Sequence, residues 1–129
     1  MKTKNNVGLL QYAVSFIQEA AQQQPQRDLG MPGNRHYQPK QLQPYLGYDQ
    51  WASFCIVVEW AWLLALAKHK EMPVSTAKLL TPELLRKLIL EVTTTEMTKL
   101  ERSKTNHDIL ALLELMEPLL PEPLRRWLH

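Results

Sequence analysis

The run from Trp51 to Ala67 constrains this chain most. Fourteen of the sixteen residues from Ala52 to Ala67 are apolar, and only Ser53 and Glu59 interrupt them. Gly47 lies just before the run and Pro73 just after it, so it has room for one long helix and little else. Trp51, Phe54, Val58, Trp62, Ala65 and His69 repeat at helical spacing, with Cys55, Glu59, Leu63 and Leu66 beside them. Both flanks are apolar, so the helix is expected to be surrounded by others. It is shorter than the roughly 20 residues a membrane span needs and carries Glu59 near its middle. A buried helix is therefore expected, without a membrane partner. Asp49 is the expected N-cap, and the helix should run to about Glu71.

The remaining chain reads as helix punctuated by loops. Asn6 to Gln23 carries Leu9, Leu10, Ala13, Val14, Ile17, Ala20 and Ala21 on one face. Pro25, Gly30, Pro32 and Gly33 then break both periodicities. Residues 1–33 are expected as a helical arm and linker, and residues 34–129 as the main domain. A short helix is expected between Pro39 and Leu46. Thr81-Pro82-Glu83 is a helix start, with a cap, a proline at the first turn and an acid near the positive end. Leu84, Leu85, Leu88 and Val92 should face inward. Thr93 to Glu96 predicts a capping box for a helix through Arg102. Thr105-Asn106-His107-Asp108 predicts another, with Thr105 and Asp108 as the cap pair, before Ile109 to Met116. Leu124 to Leu128 predicts at least one last turn. No run alternates as a strand would, so the fold class is all-α.

Several functions find no footing. The net charge of +2 over 129 residues and the lack of a basic run with interleaved aromatics argue against nucleic acid. The single Cys55 lies in the apolar run, so no structural disulfide is expected, consistent with a cytoplasmic protein. Met1 to Ile17 starts basic, but Gln11 and Ser15 interrupt it and no cleavage site follows, so it is not read as a leader. His36, His69, His107 and His129 are not paired at metal-ligand spacing, so no metal is expected. A phosphate-cradling glycine loop and a Gly-x-Ser-x-Gly elbow are both missing. Glu59 reads as a paired structural carboxylate. Trp51, Trp60 and Trp62 read as core or subunit interface.

One motif carries chemistry. A helix starting near Asp108 presents free N–H groups and a positive dipole end to an anion. His107 adds a titratable donor there. A phosphate or carboxylate is the ligand class such a place suits.

The order Asn34-Arg35-His36-Tyr37-Gln38-Pro39, Leu42, Gly47-Tyr48, a long helix bearing Glu59, Thr105-Asn106-His107-Asp108-Ile109 and Trp127-Leu128-His129 resembles the N-terminal domain of adenylosuccinate lyases, in the fumarase/aspartase superfamily. The resemblance covers roughly residues 34–129 and implies a compact multi-helix domain. It implies β-elimination of fumarate from a nucleotide substrate in purine biosynthesis, without a cofactor, by a homo-oligomer. Arg35 and Tyr37 then fall in a phosphate-binding segment, although His36 stands where many members carry arginine. His107 and Asp108, with Asn106 beside them, match a substrate-site His-Asp pair. His129 matches a second substrate-site histidine. The family's Gly-Ser-Ser-x-Met-Pro catalytic loop and general-acid histidine do not occur in this sequence.

The expectation is thus an N-terminal piece of such an enzyme, truncated before its C-terminal domains. It would contribute substrate-binding residues and not catalyse alone. Two alternatives stand beside it: a non-catalytic helical interaction module, and another superfamily lyase or cycloisomerase with a different substrate.

Overall fold

The computed structural model describes residues 6–129, with side chains described from Tyr12 onward except that of Arg35. All regular structure among them is helical: α1 (Asn6–Gln23), α2 (Gln43–Leu46), α3 (Tyr48–Lys68), α4 (Val74–Ala77), α5 (Pro82–Glu91), α6 (Thr94–Leu100), α7 (Asp108–Met116) and α8 (Glu122–Arg125). The all-α expectation holds.

The apolar run forms α3, and the other helices pack around part of it. Ala52, Ile56, Trp60 and Leu63 of α3 are buried. They meet Leu85, Leu88 and Ile89 of α5, Leu112 and Met116 of α7, and Leu120 and Leu124 near the end of the chain. Ala13, Ile17 and Ala20 of α1, spaced four and three residues apart, lie in this same core. The helix expected in an arm thus shares its hydrophobic interior with α3 and α5.

Complete enclosure of α3 does not occur. Trp60 is in the core, but Trp51, Phe54, Val58 and Trp62 are 40–67% exposed. Because apolar residues surround this helix, periodicity could not choose its inner face, and the tryptophan stripe faces outward.

The start of α3 also differs from the sequence expectation. Gly47, not Asp49, occupies the cap position, and it makes no side-chain cap bond. The loop before it supplies the acceptors instead: Tyr48 N donates to Gly30 O at 2.9 Å and Asp49 N to Asp28 O at 3.0 Å. The loop lies so close that a Cβ at Gly47 would come within 2.6 Å of Leu29 Cα. Asp49 is thereby freed to turn inward.

At its other end α3 stops at Lys68, short of Glu71. Lys70 adopts a left-handed conformation with φ 59°. Lys70 N donates to Ala67 O and Glu71 N to Leu66 O, which closes the helix in a Schellman turn before Pro73 is reached.

The Thr81 cap of α5 matches expectation, accepting from Leu84 N at 3.3 Å. Thr93 caps α6 by accepting from Glu96 N, while the Glu96 carboxylate pairs with Lys99 instead of returning to the cap. After Leu100 the helix widens into a π turn, Glu101–Thr105, that carries the chain to the His107 motif.

Candidate functional site

The π turn sets the geometry of the His107 motif. Asn106 N donates five residues back to Glu101 O at 2.8 Å, and Asn106 takes a left-handed conformation with φ 51°. Asparagine tolerates that region better than most side chains. The chain then straightens at His107, whose φ is −154°. The cap of α7 is His107 itself, not the Thr105–Asp108 pair. Its Nδ1 accepts from Ile109 N at 3.2 Å, and Asp108 Oδ1 accepts from the same N–H at 2.7 Å. The Thr105 hydroxyl instead donates to His107 O at 2.8 Å. The cap falls two residues later than expected because the π turn uses residues 101–105 before α7 begins. While His107 Nδ1 accepts, a neutral ring carries its proton on Nε2. Lys104 braces the motif through an ion pair of 2.7 Å with Glu114.

The C-terminal residues reach α3 from another direction. Cys55, Glu59 and Trp62 follow one another at intervals of four and three along a flank of that helix. Glu59 is buried, and its Oε2 accepts from His129 N at 3.3 Å. The Trp62 ring meets the His129 ring edge-on, with centroids 5.6 Å apart. Trp62 Nε1 donates to Trp127 O at 3.1 Å, which fixes the turn before His129. One turn toward the start of α3, burial pushes the Cys55 thiol pKa up, and the negative charges of Asp108 and Glu59 push it further. The charge of Asp108 is thus felt at Cys55, while His129 lies against Glu59, one turn further along the same flank. Cys55 is held as a neutral thiol and not poised as a nucleophile.

The other expected residues stand apart. Tyr37 is 82% exposed, in a 3₁₀ turn from Arg35 to Tyr37 that Asn34 caps through His36 N. The Arg35 side chain lies outside the described residues. A cleft of about 700 Å³ between α4 and the C-terminal segment is lined by Glu117, Glu122, Arg125, Arg126 and Trp127 among others. None of Tyr37, Asn106, His107, Asp108 or His129 lines it. Among the described residues, no cluster of His, Cys, Asp or Glu is placed to hold a metal ion.

Sequence reasoning missed a buried polar centre. Arg27, 6% exposed, donates to Gln50 Oε1 at 2.7 Å, Gln24 Oε1 at 3.1 Å, Ile89 O at 3.3 Å and Asp49 O at 3.2 Å, and also to Ser53 Oγ. The Asp49 carboxylate accepts from Asp28 N at 2.7 Å and from Thr94 N and Oγ1 at 2.7 and 2.6 Å. Burial lowers the pKa of the Arg27 guanidinium, and the charge of Asp49 opposes that. Every buried side-chain nitrogen and oxygen among the described residues has a partner. The centre is closed and saturated, and its work is to hold the 24–30 loop onto α3, α5 and α6.

No family model matches this chain, and the comparisons with curated proteins and with solved structures found no match.

Proposed function

We propose that this chain is the helical substrate-binding module of a lyase of the adenylosuccinate lyase kind. His107, Asp108 and His129 would contact an anionic nucleotide substrate, and proton transfer would fall to residues outside these 129. The observation that carries the reading is the seating of His129 on Glu59 and Trp62, on the flank of α3 where Cys55 feels the charge of Asp108. The ordered motif from Asn34 to His129 supplies the chemical class. His107 and the free N–H groups of α7 suit a phosphate or carboxylate. Asp108 is charged against such an anion, so its part would be to share with the His107 ring the Ile109 N–H that fixes the start of α7.

Proton-correlated NMR of the histidine rings tests this. On addition of AMP or fumarate, the His107 and His129 signals should move together, and His107→Ala should abolish the His129 response. Signals that ignore both ligands would remove the reading. The chain alone should release no fumarate from adenylosuccinate, because the serine loop and general acid of that chemistry are not in its sequence. Turnover sensitive to His107→Ala would show that these residues suffice.

A second reading, a helical interaction module without catalysis, is favoured by the exposed apolar face of α3. It predicts binding to another helix with no response to either anion.

A further inference from the structure

The outward arc of α3 is apolar from end to end. It consists of Trp51, Phe54, Val58, Ala61, Trp62 and Ala65, all exposed, with no polar side chain among them. The two acids within α3, Asp49 and Glu59, are buried on other faces. Among the described residues the end of the chain touches the arc at Trp62, and the rest of it stays exposed.

We infer that this arc is the contact face of a homodimer, in which α3 of one copy lies antiparallel to α3 of another about a two-fold axis at Val58. The inference is independent of the lyase reading. Three features single out a second copy. The first is the grading of side-chain size along the seam. Trp51 and Phe54 are bulky and lie on the N-terminal side of Val58, while the seam residues on its C-terminal side, Ala61 and Ala65, are small, with Trp62 at the edge of the arc. Antiparallel pairing about Val58 sets Trp51 over Ala65 of the partner subunit, large onto small, and brings Phe54 beside Ala61 of the partner subunit and Trp62 of the partner subunit, an aromatic contact. Parallel pairing would crowd tryptophan against tryptophan and leave a gap between alanines. The spacing 51, 54, 58, 61, 65 alternates three and four, the seam of two long helices packed side by side.

The second feature is charge. A two-fold axis brings every seam residue against an identical neighbourhood, so an ionisable group near the centre would meet its own kind. This seam has none. The third is area. Aromatic side chains of this size, about two-fifths exposed, together with Val58 and the alanines, offer about 500 Å² of apolar surface per copy. The pair would bury about 1,000 Å², the lower limit for a specific interface. A membrane surface fits less well. α3 is long and apolar enough to cross one, but an interfacial helix normally borders its apolar face with lysine and arginine, and Lys68 is the sole basic residue in α3.

Sedimentation equilibrium of the whole chain should show a reversible dimer with a Kd between about 1 µM and 1 mM, as befits a contact of this size. Val58 is two-thirds exposed, so Val58→Arg should leave the circular dichroism unchanged while placing two like charges together. It should weaken the dimer at least about tenfold. Mixing Val58→Lys with Val58→Glu should restore association. Orientation is read in a Cys55→Ser background. A mixture of Trp51→Cys and Ala65→Cys should form the mixed disulfide in preference to either homodimer. A monomer throughout, a dimer indifferent to Val58→Arg, or preferential Trp51→Cys homodimers would each overturn the inference. So would a monomer that sediments with phosphatidylserine vesicles through Val58, which would assign the face to a membrane.

Discussion

Arg27 shows how a single side chain can decide the path of a loop. It lies in a stretch rich in glutamine, proline and glycine that reads as linker, yet its guanidinium supplies donors to three segments: Gln24, the start of α3 and α5. Replacing it with alanine leaves Gln50 Oε1 without its donor in the interior and takes a donor from Ser53 Oγ and from the carbonyls of Asp49 and Ile89. The expected loss is about 3–5 kcal/mol, measured by urea denaturation. Arg27→Lys should recover little of it, because a single ammonium cannot reach all five acceptors of a planar fork. Lys70 is the converse case, a residue in the wrong chemistry for its backbone. A left-handed conformation costs a residue with a Cβ about 1 kcal/mol, and glycine far less. Lys70→Gly should therefore raise stability by about 1 kcal/mol in the same measurement. Cys55 reports on the candidate site. Its thiol is held protonated by burial first and by Asp108 and Glu59 second. Asp108→Asn removes one of those charges, lowers the thiol pKa, and should speed its reaction with a disulfide reagent at constant pH. An unchanged rate would mean that Asp108 does not border this flank.

Among the elements, those written in local chemistry were the legible ones. The Thr81-Pro82 start of α5 and the Thr93 cap of α6 follow from residues within one turn, and each occurs where the sequence puts it. The cap of α7 was displaced because a π turn, set by the bond from Asn106 N to Glu101 O, has no composition signal of its own. The start of α3 was misread for a different reason. Its N–H groups are satisfied by carbonyls about 20 residues earlier, and no window around Asp49 contains them. For the candidate site, the His107 motif could be found in sequence, but the seating of His129 on Glu59 and Trp62 could not. The pairing of α1 with α5 is likewise long-range. Glu19 meets Arg86 in a two-pronged salt bridge. The hydrogen bond from Arg86 holds the Glu19 carboxyl below its usual range, with the Arg86 charge assisting. A carboxylate with a depressed folded pKa adds stability that is complete above its unfolded value, about 4.3, and fades as pH falls through the lower folded value. Glu19→Gln should therefore lose stability at neutral pH and show a shallower decline below about pH 4.3 than the parent. The effect is a small one, since both partners touch water.

The molecule as a whole is held by contacts that cross the boundary at which its sequence divides. A break after Gly33 separates a glutamine-rich first segment from the chain that carries every candidate site residue. In space that break cuts through the core. Ala13, Ile17 and Ala20 would be withdrawn from α3 and α5, exposing apolar surface that they now cover. Gln50 and Ser53 would lose Arg27, and the Asp49 carboxylate would lose the Asp28 N–H while still buried. The first turn of α3 would lose the carbonyls of Asp28 and Gly30 as well. Each loss alone is of the size that a small domain tolerates poorly, since total stability is only about 5–15 kcal/mol. Together they predict that residues 34–129 alone do not form the packed state, although their local helix signals persist. Such a piece should keep part of its far-ultraviolet circular dichroism, melt without a cooperative transition and bind a dye for exposed apolar surface. Adding residues 1–33 as a separate peptide should restore cooperativity if the contacts described here are what hold the fold. A sharp melt from residues 34–129 alone would show instead that the first segment is dispensable and that α3 needs neither Arg27 nor α1 to be packed.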